Sequence, residues 1–266
     1  MFILVSLFLA FFHQEYQPSN KTNNLLESIR SVYTIMFDII QLPNMRYLIA
    51  LLLIHKIPFT ANDSVSALKL LEKGFKKEWM ALFALVDFPF QILSALAVGH
   101  WSTRKDTKIL EPWVFGFATR LFMCVVSTLL VYWMPDATNG DEISWSYIIA
   151  TLCISLCSSF ASTMMFVSMG ALFASISDSR VGGTYLTLLN TLSNFGGLWP
   201  KYFVNYAVDY LTTDVWGDGY YYVSWFCVLI GIVSFFLYIR RAIQMLNGQA
   251  KNSSSWTVNF KKNNLK

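Results

Sequence analysis

Charged residues are scarce in this sequence. Asp, Glu, Lys and Arg make up 14% of the 266 residues, whereas 55% of the residues are hydrophobic and 17% are aromatic. An ordinary soluble domain carries about 25% charged residues, so this chain has too few to cover a globule with a solvated surface. The same composition excludes a disordered chain, which would be poor in hydrophobic residues. We therefore predict an all-α polytopic membrane protein in contact with the lipid bilayer.

Cysteine and histidine are also scarce, and the net charge is small. Four cysteines in 266 residues are too few for a disulfide scaffold. Cys153 and Cys157 share a helix face, but no His or acid lies near them, so we expect buried thiols and no metal site. The histidines His13, His55 and His100 are isolated, and we expect no catalytic residue and no cofactor. The net charge of +4 is small and the bases form no patch with aromatics, which argues against a nucleic-acid partner.

Six stretches are candidates to cross the membrane, since a helix needs about 20 mostly apolar residues for this. Five of them contain at most three charged residues: 45–65, 79–98, 113–134, 143–177 and 219–239. The sixth, 182–208, is richer in Gly, Asn, Thr and Ser and contains Lys201. A span this polar rarely faces lipid, so we expect it to lie against a cavity or against other helices.

The six spans leave three other segments. Residues 1–12 are apolar but too short to span, and we interpret them as the end of a truncated transmembrane helix. Residues 13–44 form a polar linker, which we place in the cytosol. Within it, apolar residues at helical spacing predict a surface amphipathic helix: Leu25, Leu26, Ile29, Val32, Ile35, Met36, Ile39 and Ile40. The spans occupy residues 45–241, and residues 242–266 form a cytosolic tail, in which the segment from Asn247 is predicted to be solvated.

Loop charges predict the orientation of the spans. Six bases follow Tyr238, and the positive-inside rule places this C-terminal segment in the cytosol. The charges of the other loops agree with loops that alternate between the two sides of the membrane, with one exception. The loop at 70–78 carries Lys73, Lys76 and Lys77, although alternation places it on the opposite side. We predict a multi-pass protein with a cytosolic C-terminus.

The polar span carries the strongest functional pattern. Thr187, Asn190, Asn194 and Lys201 are three, four and seven residues apart, so they share one face of the helix. Amides, a hydroxyl and an ammonium on one face favour the binding of a polar, anionic solute. The alternative is that these side chains only join neighbouring helices.

Three runs of sequence resemble the acetyl-coenzyme A transporter family of the major facilitator superfamily. They are GGTYLTLLNTLSNFGGLWP at 182–200, KIPFTAND at 56–63 and SSSW at 253–256. The resemblance implies the C-terminal half of a twelve-helix transporter, with residues 1–12 as the end of the sixth helix and an N-terminal six-helix half as the missing partner. Pro58 stands where the family has Gly, and it predicts a kink near Lys56.

The resemblance also implies an activity. It is the transport of acetyl-coenzyme A across the membrane of the endoplasmic reticulum, by alternating access rather than by catalysis. Within the matching run at 182–200, we assign substrate binding to Tyr185, Thr187, Asn190 and Asn194. Three other functions are also considered: carriage of a different organic anion, a membrane-bound acyltransferase, and a half-protein that only binds or regulates. The acyltransferase would need a histidine base, and no credible one is present.

Charges inside the predicted spans complete the candidate site. Lys56, Arg120 and Lys201 lie on three different spans, and we predict that they bind the phosphates of the substrate. Asp63 and Asp87 are assigned as coupling or structural charges, because each is costly in hydrocarbon. Asp63 lies seven residues after Lys56 and thus on the same helical face, so one side chain could prepare the other for ligand exchange. The alternative for Asp87 is a structural pair with Arg120.

Two further patterns are weaker. The loop at 99–108, GHWSTRKDTK, resembles a degenerate form of the cytosolic motif of the major facilitator superfamily, in which charges pair across helix ends. The alternative is an ordinary positive-inside loop. Four serines at helical spacing are interpreted as a packing seam: Ser155, Ser158, Ser159 and Ser162.

Overall fold

Helices account for the regular structure of the chain. A computed structural model describes residues 25–102, 108–135, 143–178, 181–213, 217–249 and Trp256. Within these ranges, extended pairing is limited to one bridge between Thr213 and Gly217. The helices are α1 (Leu25–Gln41), α2 (Pro43–Ile54), α3 (Thr60–Glu72), α4 (Lys77–Ser102), α5 (Glu111–Trp133), α6 (Trp145–Ile176), α7 (Gly182–Leu211), α8 (Gly219–Ser234) and α9 (Arg240–Gln249). The predictions for residues 1–12, for the charges at 103–107 and for Ser253 to Ser255 lie outside the described residues.

Five helical segments are long and apolar enough to cross a membrane. They are Pro43–Glu72, which combines α2 and α3, and Lys77–Trp101, Glu111–Trp133, Trp145–Ile176 and Gly219–Gln249. These segments confirm the prediction of an all-α polytopic membrane protein. Helix α7 is 30 residues long, but its polar residues keep it out of this group, so the sixth span stays a prediction.

The first span is broken at the predicted kink. Helix α2 ends at Ile54, a single 3₁₀ turn covers Ile57–Phe59, and α3 begins at Thr60. Proline has no N–H group to continue the helical ladder, which accounts for a break at Pro58. The carbonyl of Leu51 accepts both the backbone N–H and the Nδ1–H of His55, at 3.0 and 2.9 Å. The break therefore lies beside polar groups that satisfy the end of α2.

Two close helix contacts fix the arrangement of the bundle. Helix α6 packs against α4 and α5, whereas α7 packs against α2, α3 and α8. A Cβ atom at Gly116 would lie 2.8 Å from the Ala161 carbonyl oxygen, and one at Gly196 would lie 2.0 Å from that of Leu52. Glycine allows the backbones of α5 and α6, and of α2 and α7, to approach this closely. Helices α6 and α7 touch over a much shorter stretch, which leaves space between them.

The amphipathic helix predicted in the linker corresponds to α1. Ile39 is fully buried and Ile35 and Met36 are half-buried, as expected for the apolar face. Val32 and Ile40, which were assigned to the same face, are exposed. Helix α1 therefore lies on α2 and α7 along only part of its predicted apolar face.

The C-terminal segment is packed more tightly than the sequence predicts. Helix α9 continues to Gln249, and its Ile243 and Leu246 are buried. Trp256 is 1% exposed, and its Nε1–H donates to the Gln249 carbonyl oxygen at 3.1 Å. The expectation of a solvated segment from Asn247 is thus wrong at Trp256. The composition is polar, but the apolar residues of α9 share one face and bury it.

Two lysines at the loop that disagrees with the predicted orientation, Lys73 within it and Lys69 just before it, have local structural roles. Lys69 forms ion pairs with Glu72 at 2.7 Å and with Asp218 at 3.1 Å. Lys73 Nζ donates to the carbonyl oxygens of Val131 at 2.9 Å and Met134 at 3.3 Å, where α5 ends. A cation at a helix C-terminus is favourable because the last carbonyl groups are partly negative. Two of the bases at this end are therefore offset by nearby negative groups.

Candidate anion-binding site

A cationic cavity lies beside the broken first span. It has a volume of about 140 Å³ and is enclosed by the α2–α3 break, α5, α6 and α7. Its polar lining comes from His55, Lys56, Arg120, Ser162, Asn190, Ser193 and Asn194. An apolar wall comes from α6, through Met165, Phe166, Met169 and Phe173. The cavity exists because α6 and α7 separate at the level of the break.

Lys56 is held at the wall that α7 contributes. Its Nζ donates to the Ser193 carbonyl oxygen at 2.9 Å, which uses one of the three ammonium donors. A Cβ atom at Gly197 would lie 3.1 Å from Cδ and 3.3 Å from Nζ of Lys56. Any larger residue at Gly197 would push the lysine away. Trp199 adds a second hydrogen bond between α7 and the end of α2, because its Nε1–H donates to the Leu53 carbonyl oxygen at 3.1 Å.

Arg120 is positioned by an acid and an aromatic ring. Its Nη2 donates to Asp63 Oδ2 at 2.7 Å, and its guanidinium carbon lies 4.5 Å from the centre of the Phe59 ring. The Arg120 side chain is 13% exposed. Its Nε has no hydrogen-bond partner among the described residues and is out of contact with solvent. A guanidinium has five N–H donors, so Arg120 keeps donor capacity for a ligand.

The observed ion pair corrects two interpretations of the intramembrane charges. Asp63 pairs with Arg120, whereas Asp87 accepts a hydrogen bond from Gln91 on its own helix. The suggested structural pair of Asp87 with Arg120 is therefore wrong. The idea that Lys56 and Asp63 act together because they are seven residues apart on one helix is also wrong. The 3₁₀ turn between them interrupts the helix, so this spacing does not place them on one face.

The predicted face of α7 lines the cavity over about one turn. Asn190 and Asn194 line the cavity together with Lys56 and Arg120. Thr187 is exposed, and its hydroxyl donates to the Gly183 carbonyl oxygen at 2.8 Å. Lys201 is exposed further along α7 and does not line the cavity.

The structure separates Tyr185 from the other predicted residues. Its side chain is fully buried, and the hydroxyl donates to the Trp256 carbonyl oxygen over a long distance of 3.5 Å. Tyr185 was assigned to the site because it belongs to the matching sequence run. It lies, however, on the face of α7 that packs into the core. Tyr185 therefore has a packing role in this chain rather than a place in the cavity.

Some cavity residues were not among the predicted site residues. The Ser193 carbonyl is a main-chain group that no sequence pattern predicts. Ser162 belongs to the serine row of α6, whose regular spacing was the available signal. The members of this row line cavities on α6 rather than forming the expected packing seam: Ser155, Ser158, Ser159 and Ser162.

Metal and base chemistry have little support in the described part of the chain. No group of three or more His, Cys, Asp or Glu residues there could hold a metal ion. Cys153 and Cys157 are exposed on α6, which corrects the expectation of buried thiols. His55 lines the cavity but is 4% exposed, and its Nδ1–H is bonded to Leu51.

The cavity is suited to a phosphate-sized anion. Its lining contains two cations and no acid among the described residues, and Asp63 offsets part of the charge of Arg120 from outside. Sites for whole drug-sized ligands occupy roughly 300–1,000 Å³, so 140 Å³ accommodates one charged group rather than a complete coenzyme. Lysine and arginine donors can bind a phosphate through charge-assisted hydrogen bonds.

Comparison with known proteins gives consistent results. Residues 6–109 and 104–216 match the family model described as acetyl-coenzyme A transporter 1. The uncharacterized membrane protein YBR220C of Saccharomyces cerevisiae is 30% identical over 284 residues, which cover 86% of this chain and 50% of the relative. The uncharacterized protein C21B10.09 of Schizosaccharomyces pombe is 35% identical over 176 residues, which cover 66% of this chain and 32% of the relative.

The extent of these matches defines what is shared. The chain spans half the length of the first relative and about a third of the second. No solved structure matches it. The family model, however, covers well over half of the chain and includes the broken span and the polar face of α7. The chain belongs to the acetyl-coenzyme A transporter 1 family.

Proposed function

We propose that this chain transports acetyl-coenzyme A across the membrane of the endoplasmic reticulum, as one half of an alternating-access carrier. The observation that carries the proposal is the convergence of Lys56 and Arg120 on one cavity with Asn190 and Asn194. Two cations inside a membrane-spanning bundle are costly unless a partner compensates them. An anionic substrate is such a partner, and membership of the family points to acetyl-coenzyme A.

The phosphates of the substrate bind at the cationic cavity. Lys56 holds its ammonium against the wall of α7, and Arg120 is oriented by Asp63 and Phe59. Both therefore present donors in nearly fixed positions, which lowers the ordering cost of binding. The amide groups of Asn190 and Asn194 supply further donors and acceptors for the polar parts of the coenzyme.

The rest of the coenzyme needs walls that this cavity does not supply. A volume of about 140 Å³ leaves most of a coenzyme outside. The chain spans half the length of its first relative, so a second set of helices can provide the opposite wall. In this arrangement the two halves rock about the bound substrate, as in transporters built from repeated halves.

The broken first span supports this mechanism. Discontinuous helices are typical of substrate sites in secondary transporters, because the break exposes backbone groups and allows the two pieces to move separately. Here the break lies between Ile54 and Thr60, beside the two cations. Movement of α2 relative to α3 would change the distance between Lys56 and Arg120, and would therefore change how tightly an anion is held.

Equilibrium binding tests the substrate. The purified chain in lipid nanodiscs should bind radiolabelled acetyl-coenzyme A, and unlabelled coenzyme A should compete. Citrate, an anion without phosphate or adenosine, should compete at least tenfold less well. Equal competition by citrate would favour a carrier of a different organic anion. Absence of saturable acetyl-coenzyme A binding, with folded protein shown by circular dichroism, would reject the proposal.

Transport and orientation need separate measurements. Proteoliposomes that contain the chain together with the preceding half of a family member should take up labelled acetyl-coenzyme A, whereas liposomes without protein should not. In sealed microsomes, external protease should remove a tag placed after Lys266, because we propose a cytosolic C-terminus. A protected tag would mean that the C-terminus lies inside the microsome and that the proposed orientation is wrong.

A further inference from the structure

Helix α6 lines two polar cavities and a third, amphipathic cavity. The first polar cavity is the cationic cavity described above. The second is an acidic cavity of about 370 Å³ among α3, α4, α5 and α6, and Asp87 is the ionisable side chain among its described lining residues. The amphipathic cavity has a volume of about 480 Å³ and lies between α4 and α6. The proposed function has so far assigned no role to it.

The lining of the amphipathic cavity combines apolar walls with side chains that form hydrogen bonds. The apolar residues are Phe88, Ile92, Ala95, Phe166 and Val167, and the polar residues are Gln91, Ser159, Ser162 and Thr163. No ionisable side chain is present among these described lining residues. A charged group would therefore have no partner here, whereas a neutral chain that alternates polar groups with hydrocarbon would find both kinds of contact.

The amphipathic cavity adjoins the cationic cavity. Ser162 and Phe166 lie one turn apart on α6 and line both of them. Along α6, the lining of the two cavities extends from Ser159 to Phe173. This distance is about 21 Å at a rise of 1.5 Å per residue. A long ligand with its anionic end in the cationic cavity can therefore continue past Ser162 into the amphipathic cavity.

The polar groups of this cavity suit the amide groups of a ligand. Gln91 Nε2 donates to Asp87 Oδ2 at 2.5 Å, which orients the Gln91 amide at the boundary with the acidic cavity. Glutamine has a second N–H donor and a carbonyl acceptor for a ligand. The Thr163 hydroxyl donates to the Ser159 carbonyl oxygen at 2.9 Å, so towards a ligand it acts as an acceptor. Donors and acceptors are thus present on both helices.

We infer that the amphipathic cavity binds the pantetheine arm of acetyl-coenzyme A. The arm is neutral and alternates amide groups with methyl and methylene groups, as the lining requires. Gln91, Ser159 and Thr163 bind its amides, whereas Phe88 and Phe166, whose rings are exposed, cover its hydrocarbon. The inference rests on the proposed function, because the arm is joined to the phosphates that the cationic cavity binds. The volume of 480 Å³ is within the range of about 300–1,000 Å³ for drug-sized ligands.

Two ligands that differ by the arm test the inference. They are labelled acetyl-coenzyme A and the nucleotide part of coenzyme A, 3′-phosphoadenosine diphosphate, which lacks the arm. Each is titrated against the purified full chain in nanodiscs. Ala95→Leu fills the amphipathic cavity from α4 and Ser159→Leu fills it from α6, and neither residue lines the cationic cavity. The matched control is Ala97→Leu, at an exposed position of α4 outside the lining.

The arm site predicts a selective loss of affinity. The unmodified chain should bind acetyl-coenzyme A about tenfold or more tightly than the nucleotide, because the arm adds contacts. Ala95→Leu and Ser159→Leu should each lower the affinity for acetyl-coenzyme A about tenfold or more, to near that of the nucleotide. The affinity for the nucleotide should change by less than about twofold, and Ala97→Leu should leave both affinities within the same limit.

Several results would overturn the inference. Equal affinity of the unmodified chain for the two ligands would mean that the arm makes no contact with it. Unchanged affinity for acetyl-coenzyme A in the filling variants would mean that lipid or solvent occupies the cavity, and equal loss of both ligands would mean that the variants disturb the cationic cavity. If one filling variant does not fold, the other decides.

The same titrations separate this inference from the proposed function. In each of the first two outcomes the nucleotide still binds to the unmodified chain, so the anion site stands and only the arm site is rejected. If neither ligand binds saturably to the unmodified chain, the proposed function is rejected, and the arm site that rests on it is rejected as well.

Discussion

The two polar cavities lie on the same helix but carry opposite charge. The cavity of 140 Å³ contains Lys56 and Arg120, whereas the cavity of 370 Å³ contains Asp87 as its ionisable group among the described lining residues. Each lies inside a bundle that must hide charge from lipid. Opposite charges are therefore kept in separate cavities along one helix.

The cavities also differ in how they are built. The cationic cavity depends on close backbone contact between α2 and α7 and on an ion pair that orients Arg120. The acidic cavity depends on side chains from four helices, and Asp87 Oδ1 has no hydrogen-bond partner among the described residues. The first cavity therefore holds its cations in nearly fixed positions, whereas the second, within the described part of the chain, has no such contact for its acid beyond Gln91 on the same helix. Variants at each should have different consequences.

The largest effect is expected at Gly196. In Gly196→Ala, the new Cβ would lie 2.0 Å from the Leu52 carbonyl oxygen, so α2 and α7 must separate. Overpacking of this kind costs about 1–3 kcal/mol and occasionally more. We expect a lower thermal unfolding temperature and loss of acetyl-coenzyme A binding. The control is Gly183→Ala on the same helix, where nothing lies within 4 Å of the new atom. Equal melting temperatures for the two variants would contradict the role of this contact.

Removing a cation from the first cavity should weaken anion binding strongly. Lys56→Gln and Arg120→Gln each delete a charge-assisted contact worth roughly 1.5–3 kcal/mol, so affinity for acetyl-coenzyme A should fall about ten- to a hundredfold. Titration of the labelled coenzyme against protein in nanodiscs measures this. The control is Lys76→Gln, which changes an exposed lysine between α3 and α4. If one variant loses its preference for acetyl-coenzyme A over the dephospho analogue, that side chain binds the additional phosphate.

Asp63→Asn should act in the opposite direction. Asp63 orients Arg120 but also competes with the substrate for it. Its side chain is 38% exposed, so the pair is worth about 0.2–1 kcal/mol, and we expect the competition to outweigh the orientation. Release of Arg120 should tighten acetyl-coenzyme A binding by up to about fivefold. The same titration measures it. Weaker binding in a variant that keeps its melting temperature would mean that Asp63 orients Arg120 more than it competes for it.

The smallest effect is expected at Lys201. Its ammonium is exposed and lies outside the lining of the cavity, so its attraction to the substrate is screened by solvent and salt. Lys201→Gln should change affinity by less than about twofold at physiological ionic strength. A tenfold loss would show that the substrate extends along α7 beyond Asn194, as the sequence pattern proposed.

The sequence predicts the fold well because its signal is local. Apolar stretches of about 20 residues located the helices, and Pro58 located the break in the first span. Local composition was misleading where a short apolar face is hidden among polar residues. This accounts for the unexpected burial of Trp256 at the C-terminal end.

The site was predictable only in part, because the rotation of each helix about its own axis decides which side chains meet across the bundle. Asn190 and Asn194 followed from spacing within one helix, and Lys56 and Arg120 followed from the cost of charge in a span. The pairing of Arg120 with Asp63 rather than Asp87 depends on how α3, α4 and α5 pack. Such packing is fixed by contacts far apart in sequence, such as Gly196 against Leu52. The acidic cavity, assembled from four helices, gave no contiguous pattern at all.

Ligand protection of single cysteines tests the separation of the two cavities most directly. In a background without the four native cysteines, Asn190→Cys places a thiol in the cationic cavity and Ser158→Cys places one in the acidic cavity. The rate of reaction with a water-soluble thiol reagent is measured with and without acetyl-coenzyme A. We predict that acetyl-coenzyme A slows the reaction at Asn190→Cys by about tenfold or more, as expected for a bound ligand that covers the thiol, and leaves that at Ser158→Cys nearly unchanged. Equal protection at both positions, or protection at Ser158→Cys alone, would contradict the account.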